Sequence, residues 1–231
     1  MKASIADLAR LWNTRYTVSM KLLEGREIEL LFERLSAANP EPVTELRSVN
    51  AYTLLVAVVL SAQMTDKGVN RISGALFAAA DTPVKMLALG EEGVREYIKS
   101  VNLFPTKAKR IIALSRMLVD EFGGTVPSDR ASLERLPGVG RKTANVMLSV
   151  VFGEVTLAVD THILRIAPRM GLSTAVKPLA VEEDLMKIIP GRFLRDAHHW
   201  LLLHGRYVCV ARKPHCAECV IADICPKNGV D

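Results

Sequence analysis

Two segments carry the residue types that chemistry on a nucleotide needs. Leu136-Pro137-Gly138-Val139-Gly140-Arg141-Lys142 reads as a glycine hairpin that opens a helix and sets a lysine in its first turn. Val159-Asp160-Thr161-His162 sets a lone carboxylate at the start of another helix. Gly138 and Gly140 both tolerate positive φ, so the chain is expected to turn sharply and leave backbone amides pointing outward at a helix N-terminus. Such a place holds an anion, and Arg141 beside it adds positive charge. The positive end of a helix dipole disfavours an ammonium, so Lys142 is expected to reach the neutral amine that a nucleophile requires. Asp160 suits the stabilisation of developing positive charge, and it equally suits a plain helix cap.

The elements around these segments are helical. Ser128 is expected to cap a short helix ending at Arg135, and a mostly apolar helix is expected from Lys142 to Val151, giving helix, hairpin, helix. Upstream, the pattern predicts helices over 27–38 and 51–62, the second nearly all apolar as a central buried helix would be. Thr65 can cap a helix over 66–80, Thr82-Pro83 starts a short one, and helices over 91–100 and 107–122 follow, the last ended by Gly123-Gly124. Beyond Asp160 helices are expected over 162–170, 178–188 and 193–207. No sustained alternation marks a sheet, and Leu157-Ala158-Val159 reads as a connector, so the fold class is all-α.

The four cysteines, Cys209, Cys216, Cys219 and Cys225, fall in one short segment as C-x6-C-x2-C-x5-C. A chain of 231 residues has no need of disulfide staples for its core, and no secretory apolar region stands at its start. One metal centre is therefore the expected use, and the spacing alone leaves structural zinc and an iron–sulfur cluster both open. His198, His199 and His204 share a helix without the i, i+4 spacing of a ligand pair and read as structural groups. The net charge of +5 suits a polyanionic partner, and no span of the sequence could cross a membrane.

Taken in order, Leu-Pro-Gly-Val-Gly-Arg-Lys-Thr-Ala-Asn, Val-Asp-Thr-His, His199-Trp200, His204-Gly205-Arg206-Tyr207 and the cysteine pattern resemble the endonuclease III family of DNA base-excision glycosylases, from about Glu27 to Cys225. The resemblance implies a [4Fe-4S] cluster on the four cysteines. It implies two helical domains with a DNA-binding cleft between them: a six-helix domain over 43–153 holding the helix-hairpin-helix, and a cluster domain over 27–42 plus 154–231, with 1–26 as a basic extension and Met20 as an alternative start. Lys142 and Asp160 become the catalytic pair of a bifunctional glycosylase and apurinic/apyrimidinic lyase acting on oxidised pyrimidines in double-stranded DNA. Gln63 and Leu103 become the residues that fill or wedge the base stack. The alternatives for them are a helix-end polar residue and a core leucine. Gly138, Gly140, Arg141, Arg212 and Lys213 become phosphate contacts, with a solvated charge pair as the alternative for the last two. The chain is expected to act as a monomer and, if bacterial, in the cytoplasm at the nucleoid.

The sequence departs from the family pattern at two places. Pro168 stands where relatives carry asparagine, removing one helical hydrogen bond in the helix that begins at Asp160. Asn102 stands where relatives often have glycine, and asparagine is expected to keep a positive φ there. Two other functions compete: an adenine glycosylase of the same superfamily, which lacks the lysine and carries a further C-terminal domain, and a helix-hairpin-helix module that only grips duplex DNA. Neither needs Lys142 and Asp160 together.

Overall fold

In the computed structural model, which describes residues 20–230, the helices form two compact units. Val43–Ala158 is one; the described residues up to Pro42, together with those from Val159 onward, are the other. Among the described residues there are ten α-helices, one 3-10 turn and no strand. Among the described residues no single helix is long and apolar enough to cross a membrane. The expectations for the extension and for Met20 as a start fall largely on residues 1–19, outside the described residues.

The central unit is built around α2 (Ala51–Ser61), where every residue from Tyr52 to Leu60 is buried. A helix apolar all round has no solvent face, so its neighbours must enclose it. Asn50 starts it by accepting from the Thr53 amide, a cap of about 1 kcal/mol. α3 (Asp66–Ala79) begins at Thr65, whose side chain accepts from the Gly68 amide, and α4 (Pro83–Ile98) begins at Thr82 with Pro83 in its first turn. The expected break between two short helices is a kink inside α4, at Gly90 with φ 73°. α5 (Phe104–Phe122) turns Lys107, Ala108, Ile111, Leu114, Ser115 and Leu118 inward, and the Tyr52 hydroxyl meets Ser115 Oγ there at 2.6 Å. α6 (Arg130–Arg135) and α7 (Arg141–Phe152) complete the unit. The cap of α6 is Asp129, which accepts from the Ser132 amide, and not the expected Ser128. An ionised carboxylate bonds the helix-start amides more strongly than a hydroxyl. The connector beyond α7 belongs to this unit because Asn145 Nδ2 donates to Leu157 O and Thr156 Oγ1 donates to Asn145 O.

The second unit joins the start and the end of the chain. α1 (Gly25–Ala38) buries Ile28, Leu31, Phe32 and Leu35 at helical spacing. Phe32 stacks on Phe193 at 5.9 Å, and Trp200 of α10 (Gly191–Tyr207) donates from Nε1 to Asn39 O. Arg34 is paired with Asp223, and Asn228 bonds both to Lys21 and to Pro168 O. α8 (Thr161–Arg169) packs on α10 where Gly205 leaves no side chain; a Cβ there would lie 3.1 Å from His162 Cβ. Pro168 lies within α8, which ends one residue later, so the lost hydrogen bond falls in the final turn. α9 (Pro178–Ile188) completes the set.

Candidate DNA-processing site

The hairpin between α6 and α7 is closed by the Val139 amide donating to Leu136 O, with Leu136 and Val139 buried beneath it. Gly138 has φ +88°, a conformation that side chains rarely adopt, and a Cβ there would also meet Arg110 Cδ at 3.1 Å. Gly140 departs from expectation: it caps α7 in an extended conformation, φ −109° and ψ 179°, with open space where a Cβ would be. One glycine makes the turn. The other keeps the start of α7 uncovered by any capping side chain, so that an anion can approach its amides. Arg141 and Lys142 occupy the first turn of α7, both exposed, while the next turn, Ala144 to Leu148, anchors the helix in the core.

Asp160 lies in the other unit, as the cap of α8. Its Oδ1 accepts from the amides of His162 and Ile163, both at 2.9 Å. The cap role and the charge role are compatible, because Oδ2 takes neither bond and the carboxylate is only partly buried. Fixing one oxygen on two amides also holds the group in a single orientation.

Gln63 and Leu103 share an uncommon backbone. Gln63 has φ 60° and Leu103 φ 58°, and a bulky residue there is an outlier that surrounding structure must impose. Leu103 is 59% exposed, which excludes the core-leucine alternative. The positive φ falls on Leu103 and not on Asn102, whose side chain instead donates from Nδ2 to Gln63 O at 3.1 Å. That bond joins the two loops.

The four cysteines line one cavity, with Arg169, His204 and Ile221 among its walls. Among the described residues no three metal-binding groups are drawn together around a single ion. A cavity ringed by four thiols fits a cluster, which spreads its ligands about a cube, better than one zinc. Burial pushes the Cys219 and Cys225 thiols up, and the neighbouring cysteines push them further. Cationic iron would reverse both effects. Burial lowers His204 to about 4, so a neutral imidazole lies against Cys219, with Nε2 3.8 Å from Sγ. Arg212 and Lys213 are exposed on the loop between Cys209 and Cys216, Lys213 with φ 52°. Two arginines of α8 tie that loop and the end of α10: Arg165 donates to Gly205 O of α10 and to Cys209 O, and Arg169 to Val210 O and Ala211 O of the loop. The sequence reading missed both, although their i, i+4 spacing on one helix face was available. It also missed Lys107, a lysine set on the inward stripe of α5.

The comparisons with known proteins agree with this arrangement. Residues 56–191 match the family model described as HhH-GPD superfamily base excision DNA repair protein, and residues 209–225 match the iron-sulfur binding domain of endonuclease III. The chain is 57% identical to endonuclease III of Treponema pallidum over 91% of its own length and 100% of the relative's. It is 50% identical to the Escherichia coli enzyme over 90% and 99%. Among solved structures it resembles a trapped endonuclease III–DNA covalent intermediate, with a TM-score of 0.84 at 40% identity over 90% of this chain and 98% of that one. The all-α fold, the cysteine-lined cavity and these likenesses together mean that the chain belongs to the endonuclease III family of base-excision DNA glycosylases and carries its [4Fe-4S] site.

Proposed function

We infer that the protein removes oxidised pyrimidines from double-stranded DNA and then cleaves the strand at the abasic site, with Lys142 as nucleophile and Asp160 as electrostatic partner. The observation that carries this reading is the exposed Lys142 on the first turn of a helix whose start is left open by Gly140. A phosphate gripped there brings a sugar within reach of an amine. The four cysteines hold the cluster, whose chemistry when bound is structural: it templates the loop bearing Arg212 and Lys213 for phosphate contact.

The target base is turned out of the duplex before chemistry, and Gln63 and Leu103 take its place in the stack. The neutral amine of Lys142 attacks C1′ as the C1′–N bond breaks, and the base leaves with that electron pair and takes up a proton. Asp160, ionised, stabilises the positive charge that builds at C1′. The amine loses its proton as the sugar ring opens to a Schiff base. Loss of a proton from C2′ then expels the 3′ phosphate, and water releases Lys142. The enzyme works as a monomer; a cytoplasmic, nucleoid-associated setting follows if it shares the bacterial origin of these relatives.

Borohydride should trap a covalent protein–DNA adduct on a duplex containing thymine glycol, and Lys142→Gln should abolish the adduct while duplex binding persists. Wild-type holoprotein that releases no base and traps on neither thymine glycol nor a preformed abasic site would leave only a DNA-binding module. Release of adenine opposite oxidised guanine without an adduct would move the chain to the monofunctional branch.

A further inference from the structure

Lys107 is 4% exposed, and among the described residues no carboxylate pairs with it. Its ammonium donates to Leu60 O at 2.7 Å, in the last turn of α2, and to Ala62 O at 2.5 Å, at its C-cap, just before the chain reaches Gln63. Its backbone amide donates to Leu103 O at 3.0 Å. That amide bond is the first turn of α5, so the side chain that holds the Gln63 loop springs from the turn that follows Leu103, and Asn102 links the two loops. Carbonyls at a helix end are ordinarily satisfied by water or by a short turn, so a buried cation is a costly way to cap α2. Its position explains the cost. α2 ends at Ser61, its C-cap Ala62 has ψ 117°, and the chain enters the left-handed region at Gln63. The ammonium pins the carbonyl just before that reversal, and Asn102 pins the carbonyl just after it.

We propose that Lys107 is a positioning residue for base extrusion: it fixes Gln63 and Leu103 in their left-handed conformations so that both enter the stack without reorganisation. The inference rests on the reading that Gln63 and Leu103 fill the stack. Burial lowers the Lys107 pKa, yet the negative end of α2 favours the ammonium that both bonds need. In the free protein the strain at the two loops is held by these bonds, so the ordering cost is met before DNA arrives.

The test uses holoprotein and a duplex carrying a stable abasic analogue opposite 2-aminopurine, whose fluorescence rises when it is unstacked. Gln63→Ala and Leu103→Ala, measured alongside, establish whether these side chains unstack the opposing base. Lys107→Met is expected to reach saturation on the duplex with cluster absorbance intact. Its fluorescence rise should fall to about a third or less of wild type, and borohydride trapping on a true abasic duplex should slow about tenfold, equivalent to ~1.4 kcal/mol at the barrier. Lys107→Arg, which keeps the charge and donors, should recover part of the rise. If Gln63→Ala and Leu103→Ala both leave the rise intact, the stack-filling reading fails, and this inference with it. If they reduce it and Lys107→Met does not, the positioning role alone is overturned. Lys107→Gln, with a single amide donor, replaces Lys107→Met should the latter not fold. If neither accumulates as folded holoprotein, Lys107 is a core requirement and the proposal is refuted.

Discussion

Valine placed at each hairpin glycine separates the turn from the grip. At Gly138 the new side chain would sit at φ +88° and against Arg110, and a left-handed β-branched residue costs roughly 1–3 kcal/mol. In a chain of this size about 2 kcal/mol corresponds to a fall in Tm of roughly 4–8 °C. At Gly140 the backbone is extended and the space open, so valine fits without strain. It loses some cap preference and gains from a stiffer unfolded chain, each worth about 0.5–1 kcal/mol, and Tm should move by no more than about 3 °C. The branched side chain would nevertheless stand over the amides that start α7. Gly140→Val should therefore weaken duplex binding about tenfold or more, equally for unrelated sequences, and lower the slope of log affinity against log salt by about 1. The assay is fluorescence anisotropy with two duplexes of different sequence over a salt series, beside thermal melting. Unchanged affinity for Gly140→Val would remove the phosphate from this helix start. A loss confined to one sequence would mean that the hairpin meets base edges.

Asp160 offers a similar separation: Asp160→Asn keeps an oxygen for the His162 and Ile163 amides, so base release should fall strongly with Tm nearly unchanged, whereas Asp160→Ala should also lose about 1 kcal/mol of stability, read from a urea midpoint. Some borohydride trapping on a preformed abasic site should survive Asp160→Asn, because Lys142 remains. The purified protein should show broad visible absorption with equal iron and sulfide, and Cys216→Ser should lower soluble yield and DNA affinity; a colourless protein with stoichiometric zinc would overturn the cluster. Burial holds His199 below its usual 6.5, with Asp196 opposing. The unfolded chain then binds the proton first, so stability is lost as pH falls from about 6.5 towards the lower native value. The loss in urea midpoint between pH 7.5 and 5.5 should be smaller in His199→Gln; an equal loss would assign the dependence to other groups.

The helices were legible where two local signals coincide. α9 matches its expected span because Pro178 opens an amphipathic run, and α3 begins where Thr65 announced it. The cysteine segment was legible because its residue types have few other uses together. Other features depend on what lies far along the chain. Ser128 and Asp129 are both good caps, and sequence alone does not choose between adjacent candidates. Glycine at 138 and 140 signals freedom without saying which is used. Residue type alone offers a core leucine at 103, and only the family resemblance pointed to a wedge; its exposure is imposed by the Val101 to Phe104 turn and by bonds from Asn102 and Lys107. Lys107 itself was visible as a charged residue in the inward stripe of α5, but its partners come from α2, which no local pattern connects to it.

The pairing of the chain's beginning with its end sets an order of events at the ribosome. α1 leaves the exit tunnel with Ile28, Leu31, Phe32 and Leu35 exposed, while Phe193 and Trp200, which complete that core, are made much later. At roughly 5–20 residues per second the wait is on the order of ten seconds, long enough for Val43–Ala158 to fold meanwhile. An amphipathic helix left waiting is the segment a nascent-chain chaperone would hold. Iron delivery comes later still, since Cys225 follows Trp200 in the chain, so metal starvation should leave molecules whose central unit is native and whose cysteine segment is unformed.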